Sequence, residues 1–343
     1  MASYKKKKKV TLKDIATKLG VSHTTVSRAL RDHPDISPER KEEIKRLARQ
    51  MHYNPNTFAL NLRNAFSKNI GLILPEISLY AVPSMIRGIT EFCYQSGYNV
   101  IIISSQESYL REKQNVEMML RSQVDGILVA VSKETKNYKH FKEVEEEGIP
   151  IVFFDRVLEN YGNTKVIIDD FRASYNATVH LINSGRLKLA YFGGNKHLAI
   201  TQKRLEGFRK ALKDNGLSEA KVVFANSSIE SRKNAYKIFT QKDFPDGILS
   251  ISDEVLTGII PALQELNCQI PNQVGIISFS DGPISQMYKP SISIIHHSLA
   301  RVGQVAVDLL IHRIENPEQT HKQIHIIDTQ LIERESTEKI KYT

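Results

Sequence analysis

Cysteine is scarce in this 343-residue chain: Cys93 and Cys268 are the only two, far apart and without metal-ligand spacing. Such usage suits a reducing cytosol and excludes a disulfide scaffold. Long hydrophobic runs are missing as well. Ile149 to Phe154 and Gly126 to Val131 are far shorter than the ~20 residues that cross a bilayer. The lysine tract Lys5 to Lys9 leads into Lys13, Asp14 and Lys18, where a secretion signal would carry an apolar stretch. A soluble, cytoplasmic protein without membrane contact is therefore expected. Catalytic signatures are absent too: the chain holds no GxxxxGK[ST], no GxSxG and no HExxH. Asp169-Asp170 has no further carboxylates at metal-loop spacing, and Gly193-Gly194 reads as a strand-to-helix turn. No enzyme, metal or cofactor is expected.

What the chain does hold is positive charge, and it is concentrated. Of 47 Lys and Arg and 38 Asp and Glu, residues 1–67 carry 15 and 6, leaving 32 of each for the rest. The whole excess of +9 thus lies in the first fifth. A basic head on a neutral body fits phosphate neutralisation, in which each contact releases counterions. Lys5 to Lys9 alone reads equally well as a solvated charge run. Arg28, Arg31, Arg40, Lys41, Lys45, Arg46 and Arg49 sit within helical patterns and carry more weight.

Those patterns predict three short helices. Thr11 and Asp14 form a capping box, and Leu12, Ile15, Ala16 and Leu19 share one helical face. Gly20 can end that helix in the left-handed conformation. Ser22 then caps a second helix whose Val26, Ala29 and Leu30 point inward, leaving His23, Thr24 and Arg28 outward. Ser37 and Pro38 start a third helix, with Ile44, Leu47, Ala48 and Met51 as its buried stripe. Helix, glycine turn and a second helix with a polar face form the arrangement that enters a DNA major groove. There Arg28 can pair with guanine O6 and N7, and His23 or Thr24 can donate or accept. Tyr53-Asn54-Pro55-Asn56 breaks the pattern, and residues 57–63 are long enough for about two helical turns, too few to be stable alone.

VTLKDIA, GVSHTTVSRAL, YNPN and ALNLR resemble the lac repressor (LacI/GalR) family of bacterial transcription regulators. The resemblance covers nearly the whole chain, to about Glu333. It implies a homodimer, or a higher oligomer, on double-stranded operator DNA. It assigns DNA contacts to Ser22, His23, Thr24, Thr25 and Arg28, and to Asn56, Leu62 and Arg63 in a hinge. Leu62 matches the leucine that wedges into the minor groove, although Phe58 and Leu62 also read as ordinary helix packing.

From Asn69 onward, short apolar runs alternate with amphipathic stretches, the pattern of parallel α/β sheets. Candidate strands are 70–74, 100–103, 126–131 and 151–154, then 189–192, 221–224, 247–250 and 274–278. Their number points to two doubly wound sheets. The resemblance implies a two-lobed, periplasmic-binding-protein-like core with a small effector, a sugar or sugar derivative, between the lobes. Under it the chain divides into a basic tail (1–9), a helix-turn-helix domain (10–55), a hinge (56–67), a core (68–334) and a C-terminal tail (335–343). Lobe 1 would take about 68–168 plus 297–321, and lobe 2 about 169–296 plus 322–334.

Effector contacts are expected from Arg204, in the family's Arg-x-x-Gly position, from Asp253, matching its ligand-binding acid, and from Tyr80. The alternative reading is a structural salt bridge at a helix start. Ala81, Val82 and Ser227 stand where some relatives carry aromatics, which disfavours a flat purine. Gly185-Arg186 replaces the usual Gly-His, and His296-His297 reads as a strand end near a lobe crossover. A protein partner in place of a small effector stays open, as do a solute-binding protein and an α/β enzyme. The basic head and the missing catalytic motifs favour the regulator.

Overall fold

A computed structural model describes residues 10–53, 66–77, 82–159, 161, 164–217, 219–319 and 321–339. Its contacts divide the chain into a unit of residues 1–67 and a unit of residues 68–343. Lys5 to Lys9, Asn56, Leu62, Arg63, Tyr80 and Ala81 lie outside the described residues.

In the first unit, helices α1 (Leu12–Leu19), α2 (His23–Ala29) and α3 (Pro38–Gln50) close one small core. The capping box forms: Asp14 accepts from the Thr11 amide at 2.7 Å, and Thr11 Oγ1 accepts from the Asp14 amide at 3.3 Å. Gly20 ends α1 at φ 65°, a left-handed conformation that costs glycine nothing. Ser22 and Ser37 cap the next two helices, accepting from the amides of Thr25 and Arg40. Ile15, Val26, Ala29 and Ile44 are fully buried, each large one contributing ~1.5–3 kcal/mol of apolar burial.

The second unit holds two six-stranded sheets. Strands β1 (Asn69–Leu74), β2 (Asn99–Ser104), β3 (Gly126–Val129), β4 (Ile151–Phe154), β5 (Thr164–Ile168) and β11 (Ile324–Ile327) make the first, ordered β11-β5-β4-β3-β1-β2. All its pairings are parallel. The second comprises β6 (Leu189–Gly193), β7 (Ala220–Phe224), β8 (Gly247–Ser250), β9 (Gly275–Phe279), β10 (Ser293–His296) and β12 (Gln330–Ile332), ordered β12-β10-β9-β8-β6-β7. There β12 alone runs antiparallel. Central strands such as β3, β4, β8 and β9 are buried at every residue. Helices on both faces demand this, so those strands read as continuous apolar runs. One hydrophobic cluster spans both lobes, from Ile70 and Phe154 to Tyr191 and Phe279.

Helices α4 (Val82–Gln95), α5 (Tyr109–Arg121), α6 (Lys139–Glu146), α7 (Asp170–Asn183), α8 (Ala199–Asp214), α9 (Ser228–Phe239), α10 (Asp253–Glu265), α11 (Ile284–Met287) and α12 (Leu299–Glu315) cover the sheets. The α9 and α10 backbones meet at Gly258, where a Cβ would lie 2.1 Å from the Ser228 carbonyl oxygen.

Two expected boundaries are corrected. Residues 322–327, assigned above to the second lobe, lie with the first, because Ile324–Ile327 pairs in parallel with Lys165–Ile168 and completes the open edge of β5. The chain returns to the second lobe only with β12, beside β10. Residues 335–338, expected as part of the tail, are tied to the second lobe instead. Ser336 Oγ donates to the Ile276 carbonyl at 2.6 Å and accepts from the Ser293 amide at 2.8 Å, and Ser336 and Thr337 are buried.

Candidate functional sites in the head and in the interlobe cleft

In the head, α2 presents His23, Thr24 and Arg28 to solvent while Val26 and Ala29 face the core. Ser22 and Thr25 are engaged with each other: their hydroxyls lie 2.8 Å apart, and Ser22 Oγ also takes the Thr25 amide at 3.0 Å. Arg28 Nη1 meets Asp35 Oδ2 at 3.3 Å. Much of the charge on α3 is internally balanced, Arg40 by Glu43, Lys45 by Asp32 and Arg49 by Glu42. Lys45 holds the exposed Asp32 carboxyl below its ordinary range. The outward, groove-ready cations are therefore fewer than the residue count implied.

In the second unit a cleft of about 410 Å³ opens at the carboxyl ends of the strands of both sheets. Leu74, Ala130 and Asp155 follow or end β1, β3 and β4; Gly194, Ile251 and Phe279 do so for β6, β8 and β9. Open α/β sheets place ligands at this end because strand-to-helix loops and helix N-termini converge there.

Arg204 and Asp253 both line this cleft and are nearly fully buried. Arg204 donates from Nε to Asp170 Oδ1 at 2.7 Å and from Nη1 to the Ile251 carbonyl at 2.6 Å. Its guanidinium carbon stands 3.6 Å from the centroid of the Phe279 ring, a cation–π arrangement. Burial pushes Asp170 up to about 6, with the Arg204 charge opposing. Asp253, the first residue of α10, behaves differently. Neither carboxylate oxygen has a hydrogen-bond partner among the described residues, and burial raises its pKa to about 6. Ser280 and the Gly282 backbone lie close enough to favour its charged form without reaching hydrogen-bond geometry, and Asp281 repels it. Arg204 and Asp253 are thus not paired with one another. Arg204 pairs with Asp170, and Asp253 has no cationic partner among the described residues.

Several cleft residues escaped the sequence reading. Phe279 places an aromatic ring in the cleft after all, with Arg204 over it. Arg156 donates to Glu107 Oε1 at 2.6 Å, and Glu107 Oε2 accepts from the Lys133 amide at 2.9 Å, tying together the three rim loops that follow β2, β3 and β4. Only the strand-end position of these residues could have signalled them. Val82 lines the cleft, but Ser227 caps α9 through the Glu230 amide. Arg186, counted above among pocket departures, is structural. It is fully buried, and its terminal nitrogens donate to the carbonyls of Ser184, Glu338 and Pro271 at 2.7–2.9 Å. Asp169 caps α7, and no metal-holding group occurs among the described residues.

His296 and His297 mark a lobe crossover. Asp281, on the loop after β9, accepts from the amides of His297 at 2.8 Å, Ser298 at 3.1 Å and Leu299, and meets His296 Nδ1 at 2.9 Å. A second-lobe carboxylate thereby holds the N-terminus of α12, which packs on β3, β4 and β5 of the first lobe. The His297 charge and the amides of Leu299 and His297 outweigh burial and keep Asp281 below its ordinary value.

A capped helix-turn-helix unit and a two-lobed α/β core with its cleft at the strand ends define the class of DNA-binding transcriptional regulators with a periplasmic-binding-protein-like core. Comparison with known proteins makes this particular. Residues 11–56 match the description "Bacterial regulatory proteins, lacI family", and residues 178–337 match "Periplasmic binding protein-like domain". The HTH-type transcriptional repressor PurR of Haemophilus influenzae (strain PittEE) is 30% identical over 337 residues, 96% of this chain and 99% of that protein. The crystal structure of the lac repressor dimer bound to operator and the anti-inducer ONPF superposes with TM-score 0.87 at 22% identity, over 96% of this chain and 100% of that one. A CelR–cellobiose complex superposes with TM-score 0.71 at 21% identity, over 96% and 100%. The chain belongs to the lacI family of bacterial regulatory proteins, and it is a DNA-binding transcriptional repressor, not an enzyme. No described helix is long and apolar enough to cross a membrane.

Proposed function

We propose that this repressor binds a pseudo-palindromic operator as a homodimer in the bacterial cytoplasm, under control of a sugar or similar uncharged polyol in the interlobe cleft. His23, Thr24 and Arg28 read base edges. Ser22 and Thr25 hold the recognition helix and contact the backbone, and Asn56, Leu62 and Arg63 serve the hinge as the resemblance implies. The lac repressor neighbour is a dimer on operator with an anti-inducer, and the CelR neighbour holds cellobiose, which supports both halves of the reading.

The observation that carries the ligand class is the buried Asp253 carboxylate, which lacks a hydrogen-bond partner among the described residues. A buried carboxylate with two unfilled oxygens is costly, and paired hydroxyls are donors that fill both. The cleft's arginines are already matched, Arg204 by Asp170 and Arg156 by Glu107, so a phosphate or carboxylate would find no uncommitted guanidinium. In a dimer the two heads must meet half-sites about one helical turn or a multiple apart. A ligand that favours one lobe arrangement then changes DNA affinity by linkage.

The test is a thermal-shift screen of sugars, sugar phosphates and nucleobases on the full chain and on Asp253→Ala. A neutral sugar should raise the melting temperature of the wild type and leave the variant unmoved. A shift only with sugar phosphates or nucleobases would overturn the polyol reading. No shift with any compound would favour a protein partner.

A further inference from the structure

We propose that Asp35 is a specificity-determining positioning residue of the DNA-binding head, which holds the Arg28 guanidinium for a base edge and repels phosphates where no base matches. The inference rests on the reading above that Arg28 contacts a base.

Asp35 lies in the loop between α2 and α3, and its carboxylate meets Arg28 Nη1 at 3.3 Å. The loop is tied to the end of the recognition helix. The amides of Arg31 and His33 donate to the Arg28 carbonyl at 3.2 and 3.1 Å, and the Asp35 amide reaches His33 Nδ1 at 3.3 Å. Next along the chain, Ile36 packs against the head's core and Ser37 caps α3. The carboxylate is thus placed relative to Arg28 by backbone hydrogen bonds and packing.

Asp32, Glu42 and Glu43 pair with cations of α3, whereas Asp35 pairs with a cation of α2. Stability does not explain that choice. Both side chains are half exposed, at 51% and 57%, and such pairs contribute little to folding. Recognition does explain it. A guanidinium has five donors in a planar fork, and one contact at Nη1 leaves others for guanine O6 and N7. Fixing the fork beforehand removes rotamer freedom that binding would otherwise have to remove. The same negative charge stands beside the recognition helix, where it opposes contacts made to phosphate alone.

The experiment uses the full chain. Operator sequences are selected from a random duplex library with wild type, Asp35→Asn, Arg28→Ala and the double variant, and affinities for selected and random duplex are measured across a salt series. Circular dichroism and melting confirm that each head is folded. Asp35→Asn should lower the operator-to-random ratio about tenfold, within the range of one arginine–guanine pair. The lost preference should fall at the base pair where Arg28→Ala also loses it. In the Arg28→Ala background the same change should leave base preference untouched. Asp35→Glu, which keeps the charge, should recover part of the ratio. Equal tightening on both duplexes would show a charge effect only and overturn the proposal, as would a loss that persists without Arg28. A wild type that selects no sequence overturns the operator reading and this inference together. Clear wild-type selection with an unchanged Asp35→Asn ratio overturns this inference alone.

Discussion

Asp253→Asn should make the ligand-free protein more stable at neutral pH, although it removes a binding group. The side chain is 4% exposed, with neither oxygen hydrogen-bonded. Burial lifts its pKa from the ordinary 3.8 to about 6. At ~1.4 kcal/mol per tenfold change in proton affinity, the native state is destabilised by about 3 kcal/mol when the group is ionised. The sign follows from proton uptake. Above pH 6 both native and unfolded states are ionised and the full penalty acts; as pH falls through 6 the native state takes up a proton first and the penalty fades. Asparagine mimics the neutral form, so its advantage is complete at pH 8, about half gone at pH 5, and absent below the unfolded value. Asp170, also raised to about 6, titrates in the same window in both proteins and cancels from the difference. Chemical denaturation of both proteins at pH 8 and pH 5, with equal slopes, measures the effect. A variant that is less stable at pH 8, or a gap that does not narrow at pH 5, would refute the assignment of Asp253 as a strained, ligand-ready carboxylate.

Other consequences are as specific. Arg28→Ala should weaken operator binding by about 1–3 kcal/mol and relax preference at one base pair; equal losses on operator and random duplex would restrict Arg28 to phosphate. Asp281→Ala frees the amides of His297, Ser298 and Leu299, so their hydrogen exchange should accelerate and stability should fall by about 1–3 kcal/mol. Unchanged protection would mean that the crossover is held elsewhere. Gly258→Ala sets a methyl 2.1 Å from the Ser228 carbonyl oxygen and 2.7 Å from Ser231 Cβ. Forcing α9 and α10 apart should cost about 1–3 kcal/mol and lower the melting temperature, and an unmoved transition would show slack in that helix pair.

Local spacing alone determined the head. Capping residues, Gly20 and the apolar stripes act within a few residues of themselves, so three helices and their outward faces were legible from Thr11 to Met51. The buried central strands were legible for a similar reason, because burial on both faces writes a continuous apolar run. Strands β5, β11 and β12 were less so. Strand β5 carries Lys165, whose amine turns back to the Leu158 and Glu159 carbonyls, while β11 leaves Ile324 and Ile326 exposed and β12 has only three residues. Which lobe each of these strands joins depends on the partner waiting across space, and their own residues do not record it.

The same division holds at the cleft. Sequence determined that Arg204 and Asp253 are groups able to bind a polar ligand. Tertiary structure decided that Asp170, 34 positions before Arg204, neutralises one of them and that no described cation neutralises the other. It also decided that Phe279 lies under the guanidinium and that Arg186 serves three backbone carbonyls away from the cleft. Periodicity and capping are short-range consequences of backbone geometry. Ion pairing, burial and the proton affinities they set arise only when distant segments are packed together.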